Sequence, residues 1–287
     1  RFSASNVDNK SIVPNNSLNR KIFNLSTNAT LAKKLVFEGN AQYSIEEVKN
    51  RTYLADFQSN PNAGAQLIAT NIDVRTLSPG YLDNGYEMPW SDYIYATNPY
   101  FAINKIKNGD SRIRFIGSFL TRYNITEAIY ARVRFGIDQV NVDGYAIQPT
   151  GIAFNNPGAM STDQSLTNET NLEATVGINK DFGPFTVNAF IGGNQMRNTF
   201  DGINLSSGQF NIPFQYFIRN GSSQSFSEGY SKLGINSLFT SVDLDYNDFI
   251  YLTLSGRKDW FSTLDPEKNN LFYPSVGLSF LASEAWK

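Results

Sequence analysis

SRIRFIGSFLTRYN (111–124) and IYARVRFGID (129–138) are the stretches that decide the fold. In the first, Ile113, Phe115, Gly117, Phe119, Thr121 and Tyr123 hold the odd positions, while Arg112, Arg114 and Arg122 hold even ones. In the second, Ile129, Ala131, Val133, Phe135 and Ile137 alternate with Arg132, Arg134 and Asp138. Successive side chains of a strand point to opposite faces, so a period of two marks two strands, joined at Ile125–Ala128. One face is free of charge and the other carries five arginines. A wall with hydrocarbon outside and water inside requires that division. The expectation is an all-β chain forming an antiparallel transmembrane β-barrel.

The same pattern recurs along the chain. Phe23, Leu25, Thr27 and Ala29 alternate with Ile22, Asn24, Ser26 and Asn28 in 21–29, and Leu35, Phe37, Gly39, Ala41, Tyr43 and Ile45 alternate with Val36, Glu38, Asn40, Gln42, Ser44 and Glu46 in 35–46. Leu172, Ala174, Val176 and Ile178 form the apolar face of 171–179, followed by the Gly183-Pro184 turn signal. Phe185, Val187, Ala189 and Ile191 continue it, with Phe190 on the wrong side. Segments 238–246 and 249–255, joined at Asn247-Asp248, and 273–282 complete the series. With a partial strand at the start, this gives about ten strands. Short connections at 30–34, 125–128, 180–184 and 247–248 alternate with long ones at 48–110, 142–168, 198–232 and 257–271. All the long ones share one end, as expected of a barrel with short periplasmic turns and long extracellular loops. A soluble sandwich has no reason to sort its loops this way.

Composition narrows the function. The chain has 287 residues and a mean hydropathy of -0.33, and it holds no apolar run of the roughly 18 residues that a membrane helix needs. Mean hydropathy understates membrane affinity in a barrel, where only alternate strand residues touch lipid. A balance of 24 Lys+Arg against 26 Asp+Glu gives no basis for a nucleic-acid partner. The absence of Cys and His removes disulfides, thiolate sites, the usual metal ligand and the commonest general base. The chain starts at Arg1, inside a strand pattern and without an export signal, so it is expected to be part of a longer protein.

Three local sequences carry a family resemblance: Lys10-Ser-Ile-Val-Pro-Asn-Asn16, Asn98-Pro-Tyr-Phe-Ala-Ile-Asn104, and Leu254-Ser-Gly-Arg-Lys-Asp-Trp-Phe-Ser262 leading to Phe272-Tyr-Pro-Ser-Val-Gly-Leu-Ser-Phe280. In their order and spacing they resemble the SusC/RagA type of TonB-dependent outer-membrane transporter. That resemblance implies a plugged barrel of about 22 strands, of which residues 1–287 would be a middle part. The plug domain, the TonB box and the C-terminal strands would lie outside it, and the chain ends at Ala285-Trp286-Lys287 without the terminal aromatic of complete barrels. The implied activity is active import of an oligosaccharide or a peptide across the cell outer membrane, with no enzymatic step and no cofactor. The implied partners are a SusD-like surface lipoprotein acting as a lid and the TonB complex, reached through the plug. A passive porin or adhesin barrel, and a soluble carbohydrate-binding β-sandwich, are the alternatives from other classes.

Two groups of residues are candidates for function. Tyr81, Tyr86, Trp90, Tyr93 and Tyr95, in the first long loop, offer flat rings to sugar faces, or else they hold the loop folded and form an interfacial girdle. Arg112, Arg114, Arg122, Arg132 and Arg134 face the lumen, where they would contact the plug or an anionic cargo group, or simply stay hydrated or paired with Asp138 and Glu173. Arg257, Asp259 and Trp260 form a structural unit at a strand exit, with Trp260 suited to anchoring at the membrane interface. Asp243 and Asp245 share a face near a tight turn and lack the geometry of a hydrolase pair. No ligand spacing supports a metal site. Gly192-Gly193-Asn194 lacks the lysine of a phosphate loop, and close packing in the wall explains its glycines.

Overall fold

A computed structural model describes residues 1–32 and 34–285; Lys33 of the first short link and the terminal Trp286-Lys287 lie outside the described residues. The chain is built on ten strands: β1 (Phe2–Lys10), β2 (Ser17–Leu31), β3 (Leu35–Lys49), β4 (Lys107–Asn124), β5 (Ile129–Gln148), β6 (Ala159–Phe182), β7 (Phe185–Gln209), β8 (Ser225–Tyr246), β9 (Ile250–Phe261) and β10 (Asn270–Phe280). They form one antiparallel sheet in strict sequence order, open between β1 and β10 among the described residues. Pro274 stands on β10, an edge strand, where a missing N–H need not break an interior ladder.

The turns follow from local chemistry. Gly183, at φ 60, and Pro184 link Phe182 to Phe185 as a two-residue hairpin. At the β8–β9 turn Asn247 and Asp248 both adopt positive φ, 49 and 59, as their residue types allow. This connection has three residues rather than the two expected, because Phe249 joins it, and its ring packs 5.4 Å from Tyr246 and 6.0 Å from Phe280. Together with the Phe185–Tyr246 contact at 4.9 Å, these rings make an aromatic rim at the short-turn end.

Paired residues of adjacent strands share a face, so the register identifies the outer wall. Tyr123, Phe119, Phe115 and Ile113 of β4 stand with Phe135 and Val133 of β5, Leu172 and Val176 of β6, and Ile191 of β7, all exposed on one side. Phe190 points the other way and meets Phe239 edge-on at 6.1 Å, which accounts for the break in the sequence pattern. Gly192 is a matter of close approach: a Cβ there would lie 2.4 Å from Thr175 Cγ2 and 2.9 Å from the Phe239 ring.

The apolar belt does not follow the hydrogen-bonded rows. A single row runs Phe2–Leu25–Ala41–Gly117–Ile137 within the belt and continues through Thr170 and Arg197 above it. Such a drift is what tilted strands in a barrel wall produce, since the membrane cuts the register obliquely.

The strands are far longer than the sequence pattern suggested. The expected long connections at 142–168, 198–232 and 257–271 shrink to 149–158, 210–224 and 262–269; only the first keeps nearly its full expected length, 50–106. The reason is a change of solvent. Above the belt the outer face of β5 carries Gln139, Asn141 and Asp143 while Val140 and Val142 turn inward, so the alternation continues in reversed phase. β7 has 25 residues, whereas a transmembrane strand needs only about 9–11.

Placing charge at mid-belt should therefore cost far more than placing it inside. Val176→Arg, on the outer face, is expected to destabilise the assembled barrel by roughly 2–4 kcal/mol, and Asn188→Arg, on the inner face, by much less. Denaturant unfolding in liposomes, read by heat-modifiable migration, distinguishes the two.

Candidate functional site

The loop end of the sheet is a folded cap. Asn98 caps helix α2 (Pro99–Lys105), its Oδ1 accepting from the N–H groups of Tyr100 at 3.0 Å and Phe101 at 3.4 Å, with Pro99 in the first turn. Its Nδ2 donates to the carbonyls of Leu77 and Met88. Phe101, Ala102 and Ile106 bury against Ile152 of the 149–158 loop, with Tyr53, Tyr81 and Phe154 around them. Fully burying Phe101 and Ile152 contributes about 1.5–3 kcal/mol each, enough to bind two loops into one unit.

Glu87 joins these loops electrostatically. Its Oε1 accepts from the Asn98 N–H at 2.6 Å and its Oε2 from the Ala153 N–H at 2.8 Å. Burial pushes the Glu87 carboxyl above its usual range, against the opposing pull of those two donors. The third loop attaches through the Phe214 N–H, which donates to Thr150 Oγ1 at 3.0 Å, and through the Tyr86 and Phe214 rings, edge-on at 5.9 Å. Gly151, at φ 90, lets the chain pass Tyr86, since a Cβ would stand 2.6 Å from the Tyr86 Cα.

The five aromatic candidates take different places in this cap. Tyr81 packs on the small core, with Lys105 Nζ 3.8 Å from its ring centroid. Tyr86 contacts Phe214, and Trp90 Nε1 donates to the Ala96 carbonyl at 2.9 Å. Tyr93 and Tyr95 remain the most open, 60% and 46% exposed, in edge-on contact at 5.6 Å. They line a cavity of about 530 Å³ with Phe57, Gln58, Gln66 and Leu67. This size lies in the range of small-molecule sites. Phe57 and the two glutamines carry no sequence signal of this role, because the cavity forms only when helix α1 (Pro61–Gln66) folds beside Tyr93. A second cavity of about 540 Å³, beside Tyr145, Ile203 and Leu205, opens on the outer face of the sheet and is remote from the lumen.

The five arginines share the inner face but differ in partners. Arg114 forms a fork to Asp138, with Nε at 2.8 Å and Nη2 at 2.5 Å, and Arg132 bonds Glu173 at 3.0 Å. Arg122 donates to Asn124 Oδ1 and stacks 4.0 Å from the centroid of the Tyr130 ring, which itself lies over Gly177. Arg112 and Arg134 make no ion pair among the described residues; Glu46, opposite Arg112 in the register, is taken by Arg20. Further along, Arg257 bonds Asp259 at 2.8 Å and Ser237 at 2.9 Å, bracing the strand exit. Asp243 and Asp245 serve the turn region, accepting from Thr253 Oγ1 at 2.6 Å and the Asp248 N–H at 3.0 Å.

The fold has solved counterparts. The RagAB peptide transporter matches 97% of this chain and 32% of its own at 14% identity, with a TM-score of 0.77. The fold is that of an outer-membrane β-barrel wall. The RagAB peptide importer in its open-open state gives 16% identity and a TM-score of 0.74, over the same shares of the two chains, 97% and 32%. FpvA of P. aeruginosa, solved with bound heterologous pyoverdines, covers 98% of this chain and 36% of its own at 12% identity and a TM-score of 0.61. This chain thus spans about a third of the length of these proteins. No protein-family model and no curated protein sequence matches it.

Glu87 generates a test of the cap. A carboxyl raised in the folded cap binds its proton more tightly there than in an opened loop. Its contribution is therefore fully present below the ordinary value of 4.5 and is lost as pH rises through the raised one. Glu87→Gln should remove that slope. It should also leave one N–H facing an amide NH₂, a loss of about 1–3 kcal/mol. Protease nicking of loop 50–106, followed from about pH 4 to about pH 7, should accelerate in the wild type and stay flat but faster in the variant. Parallel slopes would remove Glu87 as the linking group.

Proposed function

We propose that residues 1–287 are part of the barrel of a SusC/RagA-type, TonB-dependent transporter that imports an oligosaccharide or a peptide across the bacterial outer membrane. The observation that carries this reading is the likeness to the RagAB peptide transporter over 97% of the chain. The three quoted local sequences favour the same family because each has work to do at the loop end of this sheet. Asn15 Nδ2 donates to the Ile103 carbonyl and Asn16 Nδ2 to Thr52 Oγ1, so 10–16 ties the first connection to α2 and its loop. Asn98 caps α2, and Arg257–Asp259 braces β9.

On this reading the cap receives cargo. Tyr93 and Tyr95 offer rings that stack on sugar faces or on apolar peptide side chains, and Gln58 and Gln66 offer amides at the rim. A SusD-like lipoprotein closes over the cap, and the plug, with its TonB box, lies elsewhere in the full protein and couples to the TonB complex. Cargo leaving the cap descends past the inner face, where most arginines are matched by acids or amides, so no single strong anion trap blocks the path.

The native protein should float with outer-membrane vesicles and resist alkaline extraction; recovery as a soluble monomer without detergent would favour a sandwich instead. A deletion strain grown on a panel of glycans and peptides should fail on one of them, and loss of TonB should reproduce that failure. Uptake untouched by loss of TonB would make the barrel a passive porin. Tyr93→Ala with Tyr95→Ala should weaken uptake about tenfold, from two stacking contacts of ~0.5–1.5 kcal/mol each, with the barrel still assembled.

A further inference from the structure

On the inner face Arg20, Arg114, Arg132 and Arg257 have carboxylate partners, whereas the outer face carries a cationic site with none. Arg197 of β7 stands just above the belt, flanked by Gly234 of β8, with Ser262 beyond it. Having no side chain, Gly234 provides a floor over which the guanidinium lies: a Cβ there would be 3.1 Å from Arg197 Nη1. Arg197 Nη1 donates to the Met196 carbonyl at 2.7 Å and Nη2 to Asn236 Oδ1 at 2.9 Å, so the group is held by neutral acceptors and keeps its charge. Lys232 stands two residues beyond Gly234, on the same face. Neither Arg197 nor Lys232 forms an ion pair among the described residues. With Trp260 they line a cavity of about 360 Å³ in which no carboxylate takes part.

The height of this cavity identifies its environment. Directly below are Leu238 and Thr240 of the belt, and Lys258 lies beside Leu238 with its Nζ 5.3 Å from the Trp260 ring. A tryptophan flanked by a lysine at the edge of an apolar band is the usual occupant of the headgroup layer. Asp201 and Glu228, the nearest acids along the same face of β7 and β8, stand farther from the membrane. Two unneutralised cations at that level, over a pocket open to the outside of the wall, complement a phosphate.

We propose that Arg197 and Lys232 bind the phosphate of an outer-leaflet lipid, with Trp260 packed against its headgroup and the acyl chains running down over Leu238. The inference rests on the membrane setting of the barrel and is independent of its cargo. Full-length protein, extracted from its own membrane and delipidated in detergent, is titrated with bisphosphorylated lipid A by native mass spectrometry. Arg197→Gln with Lys232→Gln should lower that affinity by about thirtyfold, at ~1 kcal/mol per cation. Dephosphorylated lipid A should bind the wild type as weakly as the phosphorylated form binds the variant. Lys21→Gln, which removes a cation from the outer face of β2, should change nothing. Equal affinity in wild type and double variant would overturn the site, as would full displacement of lipid by inorganic phosphate, which would make it a site for free anions. Heat-modifiable migration of each variant separates loss of the site from loss of the barrel.

Discussion

Inside hydrocarbon a peptide N–H or C=O has no water to bond, so each belt segment of the wall depends on the ladder formed with its neighbours. Everything else in this chain is arranged around that requirement. Long antiparallel ladders between consecutive strands satisfy the backbone, leaving side chains free to differ on the two faces. Lipid then selects Phe, Leu, Ile and Val on one side. Water on the other tolerates the Arg114–Asp138 and Arg132–Glu173 pairs, whose solvent-accessible geometry contributes little to stability, about 0–1 kcal/mol each.

How much of this was legible follows from where the two solvents differ. Within the belt the contrast between lipid and lumen writes a period of two directly into the sequence, and the strand count, their order and the turns near 125–128 and 183–184 were readable from it. Above the belt water bathes both faces, and the pattern reverses phase at Gln139–Val142 rather than ending. A reading that followed one apolar face stopped there and mistook strand for loop. Phe190 looked anomalous for a related reason: its partner Phe239 lies on another strand, and the room for that ring comes from Gly192.

The cap was less legible because its contacts join distant segments. Helix α2 was not anticipated within the expected loop, although Asn98-Pro99 is a local helix-start signal. Nothing local to Glu87 indicates that it will bond Ala153, and nothing around 57–67 indicates a wall for Tyr93. The aromatic cluster was a property of a region; which rings pack inward and which stay open was decided by helix α1 and by the neighbouring loops.

The portion of β7 above the belt, from Gln195 to Gln209, has a physical consequence for encounter. At ~3.3 Å per residue and a tilt near 45° it lifts the cap roughly 30 Å clear of the hydrocarbon. A bulky particle approaching from outside meets a rigid turret before it meets the lipid surface, and it can engage the rim from the flank as well as from the top.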